Sequence, residues 1–119
     1  ESPEQGVVRE VLEETGRRFV PRALVGVYLS RCRRPARDED VTYLRIAFAG
    51  QVGEPLPGRT LDEGIVRTLW LTHDEVRASA ARHRSPLVQR CIDDFVAGRR
   101  HPLALLHADA SVWQPELKA

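Results

Sequence analysis

Long hydrophobic runs are missing from this sequence: its apolar stretches are short and broken by Arg or Gly, far below the roughly 20 residues that cross a bilayer. No positively charged leader precedes an apolar segment either. Both absences point to a soluble protein with no membrane partner. An excess of one charge is also lacking, since 18 Lys and Arg stand against 17 Asp and Glu for a formal net charge of +1. No overall field gathers nucleic acid, so none is expected as the main ligand. Cysteine is scarce: Cys32 and Cys91 lie far apart and form no Cys-x-x-Cys pair, which suggests neither a zinc site nor a disulfide framework and fits a reducing, cytoplasmic setting. The four histidines, His73, His83, His101 and His107, show no His-x-x-x-His spacing and read as surface or partly packed residues.

What is present has the balance of one globular domain, taken here as residues 1–119, with 42% hydrophobic and 29% charged residues. The local run Arg31-Cys32-Arg33-Arg34, with Arg37 nearby, reads as a solvated loop rather than a dedicated phosphate site.

Residues 2–15 carry helix signals at both ends. Ser2 is a capping residue, Pro3 suits the first helical position, Gln5 completes a capping box and Gly16 suits the stop. At about 100° per residue, Val7, Val8, Val11 and Leu12 fill a continuous arc of roughly 140°. Residues 19–31 and 41–52, rich in Val, Leu, Ile, Tyr and Phe, predict two antiparallel strands around a polar turn region at 33–40. Pro21 should limit pairing at the start of the first. Residues 54–64, with Pro55, Pro57, Gly58 and Gly64, read as a functional loop, and residues 65–71 as a third strand. Thr72-His73-Asp74-Glu75 is a second capping box opening a short helix. Ser85-Pro86 opens another helix, with Leu87, Val88, Cys91, Ile92 and Phe95 at helical spacing and Gly98 at its end. The last twenty residues look irregular.

Glu10, Glu13 and Glu14 stand at i, i+3 and i+4, on one side of the first helix, with Glu1 nearby. Like charges at that spacing repel, so the cluster calls for a cation: Arg9 reaches Glu13 at i+4, and a divalent metal would neutralise the rest. Carboxylates without imidazole or thiolate partners suit magnesium, or manganese in its place, before zinc. Three glutamates alone would sooner make an acidic solvent face on an amphipathic helix.

The wider pattern decides between these. Glu1, seven residues, Arg9-Glu10, apolar Val11, one residue, Glu13-Glu14, one residue, Gly16 resembles the Nudix box, Gly-x5-Glu-x7-Arg-Glu-U-x-Glu-Glu-x-Gly-U with U apolar. A chance match is on the order of 10⁻⁸ per start position. Two features depart from the full pattern: its leading Gly would precede Glu1, and Arg17 holds its last apolar position.

The resemblance implies an α/β (α+β) Nudix fold, a mixed sheet sandwiched between helices, here expected to lack its N-terminal strands. It implies an enzyme cleaving a small-molecule diphosphate or nucleotide, with Glu13 and Glu14 as chief metal ligands and Glu10 as a further ligand or the base. Arg9 would orient a glutamate, and Glu1 would help hold metal or the box loop. Asp62 or Glu63 would supply the extra carboxylate that some members draw from a distant loop. Trp70 would stack on a substrate ring or pack in the core, and Arg45 would touch phosphate or face solvent. Arg84-Ser85-Pro86-Leu87-Val88 and Gly98-Arg99-Arg100-His101-Pro102-Leu103 further resemble the NudJ subfamily of bacterial phosphatases, which implies thiamin-type diphosphates or nucleoside di- and triphosphates as substrates and a monomer or homodimer. The competing reading is a Nudix-derived module that binds a nucleotide without turning it over.

Overall fold

The computed structural model describes residues 1–65, 67–114 and 116. In chain order its elements are α1 (Pro3–Thr15), β1 (Arg17–Arg34), β2 (Glu39–Pro55), α2 (His73–Ala78) and α3 (Pro86–Val96), with 3-10 turns at Pro35–Arg37, Ala80–Arg82, Leu103–Leu105 and Ala110–Val112. The architecture is α+β, and the sheet among the described residues is the antiparallel β1–β2 hairpin. By contacts the chain divides into two compact units, one of Glu1–Ala23, Phe48–Trp70 and Pro102–Ala119, the other of Leu24–Ala47 and Leu71–His101. No helix among the described residues is long and apolar enough to cross a membrane.

In the first unit, α1 begins and ends where its sequence signals place it. The Ser2 hydroxyl accepts from the Gln5 backbone N–H at 3.2 Å, and the Gln5 side chain accepts from the Ser2 N–H at 2.8 Å. These two bonds satisfy donors that the first turn would otherwise leave open. At the other end Gly16 adopts φ 72° and donates to the Leu12 carbonyl at 2.9 Å. A side chain is disfavoured in that left-handed conformation. The following loop is tied back to the helix, since Leu56 N–H donates to the Gly16 carbonyl at 2.8 Å and Asp62 N–H to the Glu13 carbonyl at 3.0 Å. Gly50 on β2 has a different reason to be glycine: a Cβ there would run into the Val20 carbonyl oxygen and come within 2.8 Å of the Phe19 ring.

The strands are longer than the sequence pattern predicts. Strand β1 runs through Pro21, which a two-stranded ladder tolerates because each strand has an outer side that donates to no neighbour. At the turn, Arg31 donates through Nε and Nη2 to the Asp40 carboxylate at 2.8 and 2.7 Å, and Arg34 lies 3.5 Å from Glu39. Opposite charges across the strands extend the ladder into the polar segment expected to be loop. The basic run is therefore partly a strand end with acidic partners. Asp38 closes the turn at φ 52°, a conformation that Asp tolerates better than most residues.

The third strand predicted over 65–71 is not formed: Ile65 and residues 67–71 belong to no strand, and Val66 lies outside the described residues. A strand exists only with a ladder partner, and apolar composition supplies none. Leu69, Trp70 and Leu71 are accordingly exposed.

In the second unit, Leu24 and Val25 are buried. Leu24 spends both backbone groups on His101, with N···O distances of 2.8 and 2.7 Å. Helices α2 and α3 start as predicted: Thr72 and Glu75 form both bonds of a capping box, and the Ser85 hydroxyl caps α3 ahead of Pro86. Gly98, at φ 88°, ends α3 with its own N–H on the Phe95 carbonyl and the Arg99 N–H on the Asp94 carbonyl, both at 3.0 Å, the paired bonds of a Schellman stop.

Candidate functional site

The acidic side of α1 is organised around one guanidinium. Arg9 donates through Nε to both carboxylate oxygens of Glu1 at 3.0 Å and through Nη2 to Glu1 Oε1 at 2.5 Å. Its Nη1 donates to Glu13 Oε2 at 2.9 Å, and Glu10 Oε1 lies 3.7 Å from Nη2. One cation thus relieves the repulsion among three carboxylates at i+1, i+4 and i−8 from it. The hydrogen bonds from Arg9 hold the Glu1 carboxyl below its usual range, and those to Glu1 and Glu13 raise the Arg9 guanidinium above its own. Glu1 is paired with Arg9 through these exposed bonds. Glu14 is exposed, and its side chain makes no hydrogen bond or ion pair among the described residues.

The acids do not close into a ready-made metal cage. Among the described residues no three His, Cys, Asp or Glu side chains stand together as a group able to hold an ion. Glu13 is engaged by Arg9, and Glu10 points largely into solvent with a side-chain exposure of 62%. The donor set itself fits a hard divalent cation, because it consists of carboxylate oxygens, and Glu10 and Glu14 keep theirs accessible. The bonds that hold Glu13 are exposed ion pairs, which exchange partners at little cost.

Of the loop carboxylates, Asp62 is joined to the helix by its backbone, through the N–H given to Glu13, and its carbonyl accepts from Ile65 N–H at 3.0 Å. The Asp62 and Glu63 side chains are exposed and make no hydrogen bond or ion pair among the described residues. Arg45 lies on β2, half-buried, likewise without such a partner. Trp70 corrects the alternative of core packing: it is 61% exposed. The Arg17 guanidinium sits 5.1 Å from its ring centroid while Arg17 Nη1 donates to the Gly53 carbonyl at 3.0 Å. The charged residue at the box's last apolar position therefore covers an indole face, a use that no spacing rule foretells.

Two further features escaped the sequence reading. A groove of about 660 Å³ in the first unit runs along α1, lined by Val8, Leu12, Pro21, Leu106 and Trp113 among others. Its wall from the irregular C-terminal segment has no periodicity to announce it. In the second unit Asp94 is buried and accepts from Tyr28 Oη at 2.7 Å and from Arg90 Nε at 3.1 Å. The adjacent Asp93 pairs with His73 Nε2 at 2.7 Å and accepts from Gln89 at 2.8 Å. The Arg90–Asp94 spacing was readable as i, i+4; the Tyr28 partner was not.

A helix that gathers Arg-Glu-x-x-Glu-Glu acids after a capped start, followed by a hairpin, is matched over residues 1–91 by the model of the NUDIX domain. The chain belongs to the Nudix family. A solved structure, a NUDIX hydrolase from Nitrosomonas europaea, is similar with a TM-score of 0.82 and 49% sequence identity, covering 92% of this chain and 71% of that one. No curated protein matches the chain. The protein is accordingly an enzyme of the Nudix hydrolase type, with the α+β Nudix fold. Nudix hydrolases act on small molecules carrying a diphosphate and generally use a divalent metal.

Proposed function

We propose that this Nudix hydrolase is a magnesium-dependent phosphatase of the NudJ kind, acting in the cytoplasm on the phosphoanhydride bond of nucleoside di- or triphosphates or of thiamin-type diphosphates. The observation that carries the reading is the arrangement of Glu10, Glu13 and Glu14 along α1 with Arg9 bonded to Glu13. The segments around Ser85-Pro86 and Gly98, where the capped start and the Schellman stop of α3 lie, support the subfamily.

In this reading Glu13 and Glu14 are the chief metal ligands and Glu10 is a further ligand or the base that takes the proton of the attacking water. Arg9 positions the Glu13 carboxylate and keeps Glu1 at the start of the box helix. Asp62 or Glu63, in the loop bonded to the end of α1, adds a carboxylate from outside the box. What magnesium supplies in such a site is neutralised phosphate charge and a more acidic water. The protein side of the chemistry is positioning: glutamates on one rigid helix would hold the metal that neutralises the phosphoryl group, and one of them would accept the proton of the water, without reorganising.

The test is phosphate release from thiamin diphosphate, nucleoside di- and triphosphates, nucleotide sugars, dinucleoside polyphosphates and ADP-ribose, with and without magnesium. Release that needs magnesium and is lost in Glu14→Gln is expected. Activity surviving both magnesium removal and that substitution sinks the assignment, and tight binding without turnover on any substrate replaces it with a nucleotide-binding module.

A further inference from the structure

We infer that Arg59 is a substrate-binding residue, whose guanidinium takes the phosphate that stays with the organic leaving group. The inference deepens the hydrolase reading and rests on it for the substrate. Its content comes from how the chain presents this arginine at the end of the box helix. The last turn of α1 leaves backbone carbonyls open, and the loop after β2 is tied to that end. Asp62 N–H is given to the Glu13 carbonyl at 3.0 Å, and Leu56 N–H to the carbonyl of Gly16, the helix stop, at 2.8 Å. Between these two anchors Pro57-Gly58 makes a turn, with φ of 72° at Gly58, the order of residues that a type II turn favours. Arg59 follows directly, and its Cβ stands 3.7 Å from the place that a Cβ on Gly16 would occupy. The stem of Arg59 is therefore set against the helix stop, within the first unit.

The head of this side chain is uncommitted. Arg59 is exposed, and among the described residues its guanidinium makes no hydrogen bond or ion pair, although Glu14, Asp62 and Glu63 belong to the same helix end and loop. The neighbouring cations are already engaged: Arg9 holds Glu1 and Glu13, and Arg17 lies on Trp70 and donates to the Gly53 carbonyl. A guanidinium offers five donors in a fork that matches phosphate oxygens two at a time. At 1.5 Å per residue, Gly16 lies only about 4.5 Å along the axis beyond Glu13. A diphosphate whose reacting phosphorus meets a metal on Glu13 and Glu14 thus has its second phosphate within the reach of an arginine placed there. Because that second phosphorus is not the one attacked, the contact serves binding more than the chemical step.

AMP and thiamin monophosphate keep that second phosphate and have no phosphoanhydride bond, so their binding is read without turnover. In calorimetric titrations with magnesium present, Arg59→Ala should weaken whichever of them binds the parent about tenfold. Arg59→Lys, which keeps the charge but not the fork, should weaken it less. In phosphate release, the KM for ADP or thiamin diphosphate should rise by the same factor in Arg59→Ala, with kcat within roughly twofold of the parent. Where the parent binds neither monophosphate, the KM decides alone. Turnover with KM and monophosphate affinity unchanged overturns the assignment and leaves the hydrolase reading intact. A fall in melting temperature alone likewise overturns it, and makes Arg59 a cation that serves the helix end through its dipole. Weakened monophosphate binding in a protein that cleaves none of these diphosphates upholds the phosphate site and removes the hydrolase reading. Neither binding nor turnover in the parent overturns both.

Discussion

The guanidinium of Arg9 donates to the carboxylate of Glu13 at 2.9 Å, one turn further along the box helix, and the same side chain grips Glu1 from the other side. In the proposed reading Arg9 positions Glu13, and such a role affects rate more than stability, because the groups are exposed and their ion pairs add little to folding. Arg9→Ala is therefore expected to keep the helix and the melting temperature close to those of the parent. Its kcat should fall about a hundredfold, the scale on which small misplacements of reacting groups act. Thermal melts beside phosphate-release kinetics check both halves; a collapse of the melting temperature would instead make Arg9 a structural residue.

Metal dependence separates the acids of the box from an ordinary solvent face. Chelation is expected to abolish turnover, and magnesium or manganese to restore it, with Glu13→Gln and Glu14→Gln raising the metal concentration needed for half-maximal rate. Glu4→Gln, an exposed residue in the first turn of the same helix, should leave that concentration unchanged. Calorimetric titration of magnesium into each variant gives the ranking without recourse to activity.

Gly16→Ala tests the helix stop. An added Cβ would meet Arg59 and Leu61 at an ordinary 3.7 Å, so the cost comes from the left-handed φ of 72° alone, about 1 kcal/mol. Gly50→Ala should cost more, since its Cβ meets the Val20 backbone and the Phe19 ring, which have no flexible end to yield. Denaturant titrations of the two variants should fall in that order.

Much of this is legible in the sequence, and the reason is locality. The caps at Ser2, Thr72, Ser85 and Gly98 are read from residues three to five apart, and each makes the bonds its sequence calls for. The family pattern on α1 is equally local. What was not legible depends on distant partners. The polar ends of β1 and β2 become strand because Arg31 finds Asp40, residues 67–71 stay outside the sheet for want of a ladder, and Arg17 leaves the apolar pattern to cover Trp70. Composition cannot report such pairings.

Tyr28→Phe tests the buried aspartate of the second unit. The Tyr28 hydroxyl donates to Asp94 at 2.7 Å, and this bond, helped by Arg90, holds the Asp94 carboxyl below its usual range against the opposing effect of burial. The phenol is in turn pushed up to about 12, by burial first and by the bond to Asp94 second. Asp94 has a folded pKa below its unfolded value, so its contribution is full at pH well above about 4 and is lost as pH falls through the folded pKa. Tyr28 has a folded pKa above its unfolded value of about 10, so its contribution is full below about pH 10 and fades as pH rises through the folded value. Removing the hydroxyl should therefore lower the melting temperature by roughly a few degrees at pH 7. The gap between parent and variant should narrow as pH falls below the ordinary aspartate value of about 4 and through the lowered folded pKa of Asp94, and again as pH rises through the folded value of Tyr28. A gap that stays constant from pH 3 to pH 8 would mean that Tyr28 supports this unit by packing, and that the charge on Asp94 is held by Arg90 and Arg99.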